Sequence, residues 1–496
     1  HWAYRMPTGL GRHIRLSIEM QICAGENRVR LRYFRHPASS SDELEDARPV
    51  WLIIRPDIEN RSFHETTKAY AGPEFVWPKA VAAFENGFRF APDGVHQLHM
   101  AVSRAEFVPE PEWEYMVHRP LEAGRGLDPD SDLFSPGYFR AGLIGGQCIQ
   151  LEASADGETV DMTDGCAESM LLPEALPDLD LMTAARRAMA HFIVDRQGDK
   201  SVIAGYPWVL DWGRDSLIFC RGLIAAGACD DALAVLKLFG RFESGGTLPN
   251  MFGGDDARNR DTSDAALWFM VACRDLAAAA GTAFLDTACG GRTVREILFS
   301  IAEHYVRGTE NGICMDPESG LIYSPSHFTW MDTNFPAGSP RQGYPIEIQA
   351  LWYAGLAFLS ELKCPGKGSR RLRLDPSFLC GKVAESIMTY FFDSQRGCFS
   401  DCLHCAPGTV PAEADADDAL RPNQLFAITL DAVPDRQVCM SILDTCAELL
   451  VPGAIRSLAD RPVTRPLEIR HDGQLLGDPY QPYRGRYAGD EDSSRK

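Results

Sequence analysis

The chain has 496 residues, of which 45% are apolar and 24% charged, and a formal net charge of −20. This composition is that of a soluble globular protein, and the length predicts two or three domains. The negative charge argues against nucleic-acid or anionic-membrane partners. No apolar run is long enough to cross a membrane, and no signal peptide opens the sequence.

Fifteen cysteines are scattered along the chain without a disulfide framework. Several lie in apolar helical patterns, which favours reduced, buried thiols in a cytoplasmic protein. Cys398, Cys402, His404 and Cys405 form the one metal-like cluster. A zinc site needs a second half with paired spacing, and none is visible, so we expect no metal there.

Residues 1–170 are predicted to form an N-terminal β-sandwich. Short segments such as Leu16–Met20, Val29–Phe34 and Gln97–Val102 are separated by turn residues, a pattern typical of sandwiches. The composition changes at residues 171–177, which we interpret as a linker.

Residues 178–496 are predicted to be helical, because apolar residues recur there at helical spacing. The expected helices are Ser216–Ala226, Asp230–Phe239, Ser263–Ala279, Val294–Val306, Glu347–Leu359, Pro376–Phe392 and Asp435–Leu450. Long loops at Gly245–Asp261 and Asp316–Pro345 separate some of them, and such loops are usually functional. This pattern indicates a toroid of helix pairs with a site at one mouth.

Two segments combine tryptophan with carboxylates, Asp211–Asp215 and Thr329–Asp332. Indole faces stack on sugar rings, Arg and Asp bind hydroxyls, and a carboxylic acid protonates a departing glycosidic oxygen. Asp215 has an alternative interpretation as a helix N-cap paired with Arg214.

Asp332 ends an aromatic loop segment that would raise the pKa of its carboxyl group, as a general acid requires. The alternative is a turn residue in a polar loop. Glu347 could reach the mouth of the site or act only as a first-turn acid. Arg341 could pair with Glu347 or with substrate.

Asp264 with Trp268, and Asn423 with its neighbours, form similar polar and aromatic sets. Asp264 could instead be only a helix N-terminal acid. No Gly-rich phosphate loop follows a strand, and no GxSxG elbow is present, so nucleotide binding and serine hydrolase chemistry lack support.

Together these segments resemble the amylo-α-1,6-glucosidase part of glycogen debranching enzymes, over nearly the whole chain. The matching segments are Pro207–Ser216, Asp264–Phe269, Thr329–Asp332 with Pro340–Arg341, Glu347–Tyr353 and Arg421–Leu425. Upstream, Leu52–Asp57 and Phe63–His64 resemble the β-rich domain of bacterial members.

The resemblance implies an (α/α)6 barrel similar to that of glucoamylases, with Asp332 as the general acid. We prefer Asp332 to Asp215 because Arg214 would hold the adjacent Asp215 ionised. The expected substrate-binding residues are Asp211, Trp212, Arg214, Asp215, Asp264, Trp268, Trp330, Arg341, Glu347 and Asn423.

The expected function is inverting hydrolysis of single α-1,6-linked glucose units on glycogen or limit dextrin, without a cofactor. The alternatives are another (α/α)6 glucosidase, acting on trehalose or a short oligosaccharide, and a non-catalytic glucan-binding protein. In the family a late loop supplies the catalytic base. We therefore expect the base beyond Lys496, a barrel incomplete at its C-terminus, and an inactive isolated chain.

Overall fold

The protein divides into two compact units, His1–Asp178 and Leu179–Lys496. A computed structural model describes residues 1–484 except 24–25, 62–64, 125–127, 156–179, 197, 207–208, 253–256, 333–338, 365–374, 469, 472 and 476. The predicted linker at 171–177 lies outside the described residues. So do Phe63, His64, Pro207 and Trp208 from the matching motifs.

The first unit is built from ten strands and two short helices. The strands are β1 (Trp2–Gly9), β2 (Arg12–Ile22), β3 (Arg28–Arg35), β4 (Val50–Ile54), β5 (Val81–Phe84), β6 (Gly87–Phe90), β7 (Leu98–Val102), β8 (Glu106–His118), β9 (Asp130–Leu143) and β10 (Cys148–Ser154). The helices are α1 (Pro73–Val76) and α2 (Pro120–Gly124).

These strands form two antiparallel sheets, which confirms the prediction of a β-rich N-terminal part. One sheet has the order β1-β2-β3-β10-β7-β6-β5 and the other β4-β9-β8. Both contribute to one core, with Phe88 and Val102 from the larger sheet and Phe134 and Phe139 from the smaller. Alternate residues of β4, Val50, Leu52 and Ile54, pack against this core, as the pleat allows.

The second unit is helical, as predicted. Its helices are α3 (Leu181–Ala190), α4 (Gly213–Ala225), α5 (Cys229–Arg241), α6 (Ala265–Ala280), α7 (Val294–Arg307), α8 (Ile346–Glu361), α9 (Pro376–Phe391), α10 (Leu425–Thr429) and α11 (Arg436–Cys446). Helix α4 starts three residues before its predicted start, so Arg214 and Asp215 lie in its first turn.

Inner and outer helices alternate along this unit. Helices α4, α6, α8 and α10 contact one another in succession, and α5, α7, α9 and α11 pack against them. Helices α6 and α8 are apolar on nearly all sides and almost fully buried, as an inner position demands. The described residues hold four such pairs, whereas a complete (α/α)6 barrel has six.

Short strands connect the helices of the second unit. They are β11 (Ile193–Arg196), β12 (Asp199–Val202), β13 (Ala288–Cys289), β14 (Arg292–Thr293), β15 (Cys314–Met315), β16 (Ile322–Tyr323), β17 (Gly343–Pro345), β18 (Phe392–Asp393), β19 (Cys398–Phe399), β20 (Cys402–His404), β21 (Asp415–Ala416), β22 (Leu450–Val451), β23 (Ala454–Ile455), β24 (Arg470–His471) and β25 (Gln474–Leu475). Strands β17, β20 and β21 form a small sheet beside the start of α8.

Most of the described cysteines carry free thiols, and about half of these are buried. Thirteen of those described are free, but Cys148 is disulfide-bonded, which corrects the expectation that all thiols are reduced. Across the described ranges, no cluster of His, Cys, Asp or Glu is arranged to hold a metal ion. None of the helices described here is long and apolar enough to span a membrane.

Candidate active site

The polar residues singled out in the sequence gather where the inner helices begin. Arg214 and Asp215 lie in the first turn of α4, Asp264 directly precedes α6, and Glu347 lies in the first turn of α8. Asn423 lies in the turn before α10. Helix N-termini carry unpaired N–H groups and a positive dipole end, so they favour acidic side chains and oxygen-rich ligands.

Arg214 uses each nitrogen of its buried guanidinium for a different oxygen. Its Nε donates to Asp264 Oδ2 at 2.6 Å, Nη1 to Asp332 Oδ2 at 3.1 Å, and Nη2 to the Thr329 carbonyl at 2.9 Å. Burial alone would lower the pKa of Arg214, but the two carboxylates raise it above its ordinary value. The cation therefore fixes α4, α6 and the Asp332 segment relative to one another.

Asp264 is buried directly before α6, where it accepts the hydrogen bond from Arg214. Its second oxygen accepts from the Thr262 hydroxyl at 2.6 Å. Although Asp264 occupies the N-cap position of α6, its side chain caps no backbone N–H. The helix-acid interpretation thus holds for its position but not for its hydrogen bonds.

Asp332 is partly exposed, with 22% of its side chain accessible. Burial raises the pKa of its carboxyl group above the ordinary value, and the charge and hydrogen bond of Arg214 oppose that rise. Arg214 occupies only Oδ2, and no other residue in the described part of the chain donates to Oδ1. One carboxyl oxygen is therefore available to carry a proton towards a ligand.

Asp215 differs from the expectation in two ways. Arg214 donates to Asp264 and Asp332 rather than to Asp215, so the adjacent cation does not hold Asp215 ionised through an ion pair. The surrounding protein leaves the Asp215 side chain accessible but partly desolvates its carboxyl group, which raises its pKa despite the charge of Arg214. Its side chain is exposed and caps no N–H, so the N-cap interpretation is wrong.

Backbone hydrogen bonds join the two described ends of the loop that carries Asp332. The His327 N–H donates to the Pro340 carbonyl at 2.9 Å, and Ser324 and Gly343 exchange backbone hydrogen bonds just outside it. His327 and Arg341 flank the loop with φ values of 60° and 47°. Such left-handed residues cost about 1–3 kcal/mol each and persist only where the surroundings enforce them.

A buried ion cluster holds Arg341 in its left-handed backbone conformation. Its Nη2 donates to Glu347 Oε2 at 2.6 Å and its Nε to Asp401 Oδ2 at 2.8 Å. Arg421 lies 3.4 Å from the same Asp401 oxygen. All four side chains are at most 3% exposed. Two cations and two anions balance, which is the condition for burying charge without a large penalty.

Thr329 and Trp330 join the ion cluster to Arg214. Arg341 Nη1 donates to Thr329 Oγ1 at 3.1 Å, on the residue whose carbonyl accepts from Arg214. Trp330 Nε1 donates to Asn423 Oδ1 at 3.0 Å. The residues just before Asp332 are thus held from both sides.

Of the remaining predicted residues, Asp211 and Trp268 are buried. Asp211 accepts from Arg196 and from Ser201, and Trp268 packs edge-on against Phe426. Partial exposure is retained by Trp212, Trp330 and Asp332, and Asp215 is exposed. The buried positions of Asp211, Arg214, Asp264, Trp268, Arg341, Glu347 and Asn423 favour support of the site over direct sugar contact.

Thr329 and Asp401 were missed from the sequence. Thr329 lies within the Thr329–Asp332 motif, but its neighbours gave no sign that two arginines would hold it. Asp401 lies between two short strands, where no periodic pattern or cap signal marks it. Only the long-range contacts reveal both residues.

Two protein families match parts of the chain. Residues 187–465, more than half of the chain, match the model of the amylo-alpha-1,6-glucosidase family. Residues 1–150 match the family described as glycogen debranching enzyme N terminal. A glycogen debranching enzyme of Saccharomyces cerevisiae is 26% identical over 294 residues, 47% of this chain but 19% of the yeast protein. The chain thus spans about a fifth of that relative's length.

Two solved structures align with this chain. A bacterial glucoamylase complexed with acarbose aligns with a TM-score of 0.50 at 11% identity, covering 98% of this chain and 75% of the glucoamylase. A Klebsiella oxytoca rhamnosidase with rhamnose bound aligns with a TM-score of 0.41 at 13% identity, covering 84% and 82% of the two chains. The glucoamylase likeness supports the expected (α/α)6 class for the helical unit. With the family match over more than half its length, the chain belongs to the amylo-α-1,6-glucosidase family.

Proposed function

We propose that this protein hydrolyses α-1,6-linked glucose units on a branched α-glucan, with Asp332 as the general acid. The observation that carries the proposal is the state of the Asp332 carboxyl group. It is partly exposed, its pKa is raised by burial, and no other described residue donates a hydrogen bond to its Oδ1. A general acid needs these three properties together. Asp215 shares a raised pKa and the absence of a partner among the described residues, so the choice of Asp332 rests on Arg214, which donates to Asp332 and stabilises the carboxylate left after proton transfer.

The proposed proton transfer uses the two carboxyl oxygens differently. The proton on Oδ1 passes to the glycosidic oxygen as the bond to the sugar breaks. The carboxylate left behind is stabilised by Arg214, which already donates to Oδ2. Arg214 therefore stabilises the conjugate base without blocking the oxygen that donates.

An inverting reaction also needs a carboxylate that activates water on the opposite face of the sugar. Glu347 does not suit this role, because it is buried and both its oxygens are held by Arg341. We assign no base.

Sugar binding in this proposal falls to the more exposed residues. Asp215 offers two carboxylate oxygens to hydroxyl groups, and the half-buried Trp212 and Trp330 offer indole faces to the ring. The seven buried residues hold these groups in place.

The comparisons support a carbohydrate substrate. The yeast relative is named a glycogen debranching enzyme, and the glucoamylase was crystallised with acarbose. A cytoplasmic location, expected from the many free cysteines, belongs to the same proposal.

The glucoamylase-like fold also favours a second candidate, a glucosidase acting on trehalose or a short unbranched oligosaccharide. Glucose release by the full-length protein from α-1,6-branched limit dextrin, maltotriose and trehalose distinguishes them. We expect release from limit dextrin. Release from trehalose or maltotriose alone would favour the second candidate, and binding of limit dextrin without turnover would favour a glucan-binding protein.

A further inference from the structure

Asp401 is the centre of the buried ion cluster and has no role in the function proposed above. Its Oδ2 accepts from Arg341 Nε at 2.8 Å, and its Oδ1 accepts from Asn423 Nδ2 at 2.7 Å. Its carbonyl accepts from the Ile346 N–H, the first of α8, at 3.0 Å. Its exposed fraction is 3%, so it does not meet a ligand.

The hydrogen bonds fix the orientation of the Asn423 amide. A carboxylate only accepts hydrogen bonds, so the NH₂ group of Asn423 must face Asp401. The amide oxygen then faces the other way, towards an indole N–H that only donates. Asp401 therefore ensures that Trp330 Nε1 faces the Asn423 amide oxygen, an acceptor. Trp330 lies two residues before Asp332.

A second route runs from Asp401 to the same segment. Asp401 and Glu347 together hold Arg341, and Arg341 donates to the Thr329 hydroxyl. Thr329 and Trp330 are thus both tied to one carboxylate by a single intervening side chain.

We infer that Asp401 is a positioning residue that sets the place of the Trp330 indole and, through it, of the Asp332 carboxyl group. It touches no substrate. The inference deepens the function proposed above and rests on it for the catalytic consequence, whereas the effect on Trp330 stands on geometry alone.

Asp401→Asn should disturb this order while keeping the shape of the side chain. The new amide has one acceptor where three donors converge, and its NH₂ group would face donors. Asn423 can then rotate, which takes its oxygen away from Trp330.

The test is the hydrogen exchange of the Trp330 indole N–H, followed by NMR in the full chain with ¹⁵N-labelled tryptophan. The chain has nine tryptophans, so Trp330→Phe identifies the resonance. We expect the indole N–H to exchange about fivefold faster or more in Asp401→Asn, since a net hydrogen bond is lost. An unchanged position and exchange rate in the folded variant would overturn the inference.

Two further variants keep the test decisive if Asp401→Asn does not fold. Asn423→Leu removes the acceptor and should produce the same faster exchange. The exchange of partners, Asp401→Asn with Asn423→Asp, places a carboxylate where it accepts from both the indole and the new amide. In this double variant the indole N–H of Trp330 should again exchange slowly. Fast exchange would contradict the hydrogen-bond connection from position 401 through position 423 to Trp330.

Glu243→Gln is the matched control. Glu243 is also buried, pairs with Arg292 and accepts from the Gly246 N–H at 2.8 Å, away from Trp330. It should leave the Trp330 resonance unchanged. An equal change in this control would show general loosening and overturn the specific role of Asp401.

Turnover of limit dextrin separates this inference from the proposed function. If both are right, Asp401→Asn lowers kcat by about tenfold or more, with KM changed much less, because Asp215 and Trp212 are untouched. Absence of turnover in the unaltered full-length protein would contradict the proposed function but leave the Trp330 result standing. An unaltered kcat beside a displaced Trp330 would overturn the catalytic part of the inference.

Discussion

Arg214 shows how one side chain can organise a site. Its three donor nitrogens, which lie in one plane, reach Asp264, Asp332 and the Thr329 carbonyl. A lysine carries the same charge but lacks this fixed fork. The sequence pointed to Arg214 from its motif, but the expected partner was Asp215, the neighbour in sequence.

Asp215 is left with an exposed carboxylate that no other residue in the described part of the chain engages. Asp215→Ala should therefore lower kcat/KM for limit dextrin by about 10- to 100-fold, the value of a hydrogen bond to a charged group. It should also reduce the preference for glucosyl over 4-deoxyglucosyl substrates. Competition kinetics with the two substrates measures this.

Asp230→Ala is the matched control, because Asp230 is also an exposed acid in the first turn of a helix, the outer helix α5. It should leave both parameters unchanged. Equal discrimination by wild type and Asp215→Ala would remove Asp215 from sugar binding.

At the scale of elements, Gly213 decides where α4 begins. Its backbone angle is ordinary, but a Cβ there would stand 2.3 Å from the Pro249 carbonyl oxygen. The Gly213 N–H donates to the Asn250 carbonyl at 2.7 Å. The glycine is needed for close approach of two backbone segments, and this contact brings Arg214 to its partners.

Gly213→Ala should lower the free energy of unfolding by about 1–3 kcal/mol, because a backbone oxygen cannot move aside easily. Gly381→Ala, on the exposed side of α9 with no atom within 4 Å of the new Cβ, should instead raise it by about 1 kcal/mol. Denaturant unfolding of both variants measures the difference. A stability gain in Gly213→Ala would contradict the close-approach account.

The helices and the β-rich first unit were predictable because they depend on local periodicity. Predicted and observed bounds of α6 and α8 differ by only one or two residues. The start of α4 was not predictable, because it depends on a contact with Pro249, which lies in a distant segment of the chain. Asp401 and Thr329 were missed for the same reason, since their roles exist only where three loops meet.

At the scale of the whole molecule, the family match, the alternating helix pairs and the polar residues at the inner helix starts agree. Among the four described helix pairs, Arg214 and Asp215 lie at the start of an inner helix. Asp332 lies in a loop that connects two helices. The central claim is that Asp332 donates a proton to the leaving oxygen.

Hydrolysis of two substrates by Asp332→Asn in the full-length protein tests that claim most directly. The leaving group of limit dextrin is a sugar oxygen that needs a proton. The leaving group of α-glucosyl fluoride is fluoride, which departs without one. We predict a loss of about 10²- to 10⁴-fold in kcat on limit dextrin and a much smaller loss on the fluoride. Equal losses on both substrates, or retention of more than about half the wild-type kcat on limit dextrin, would contradict the account.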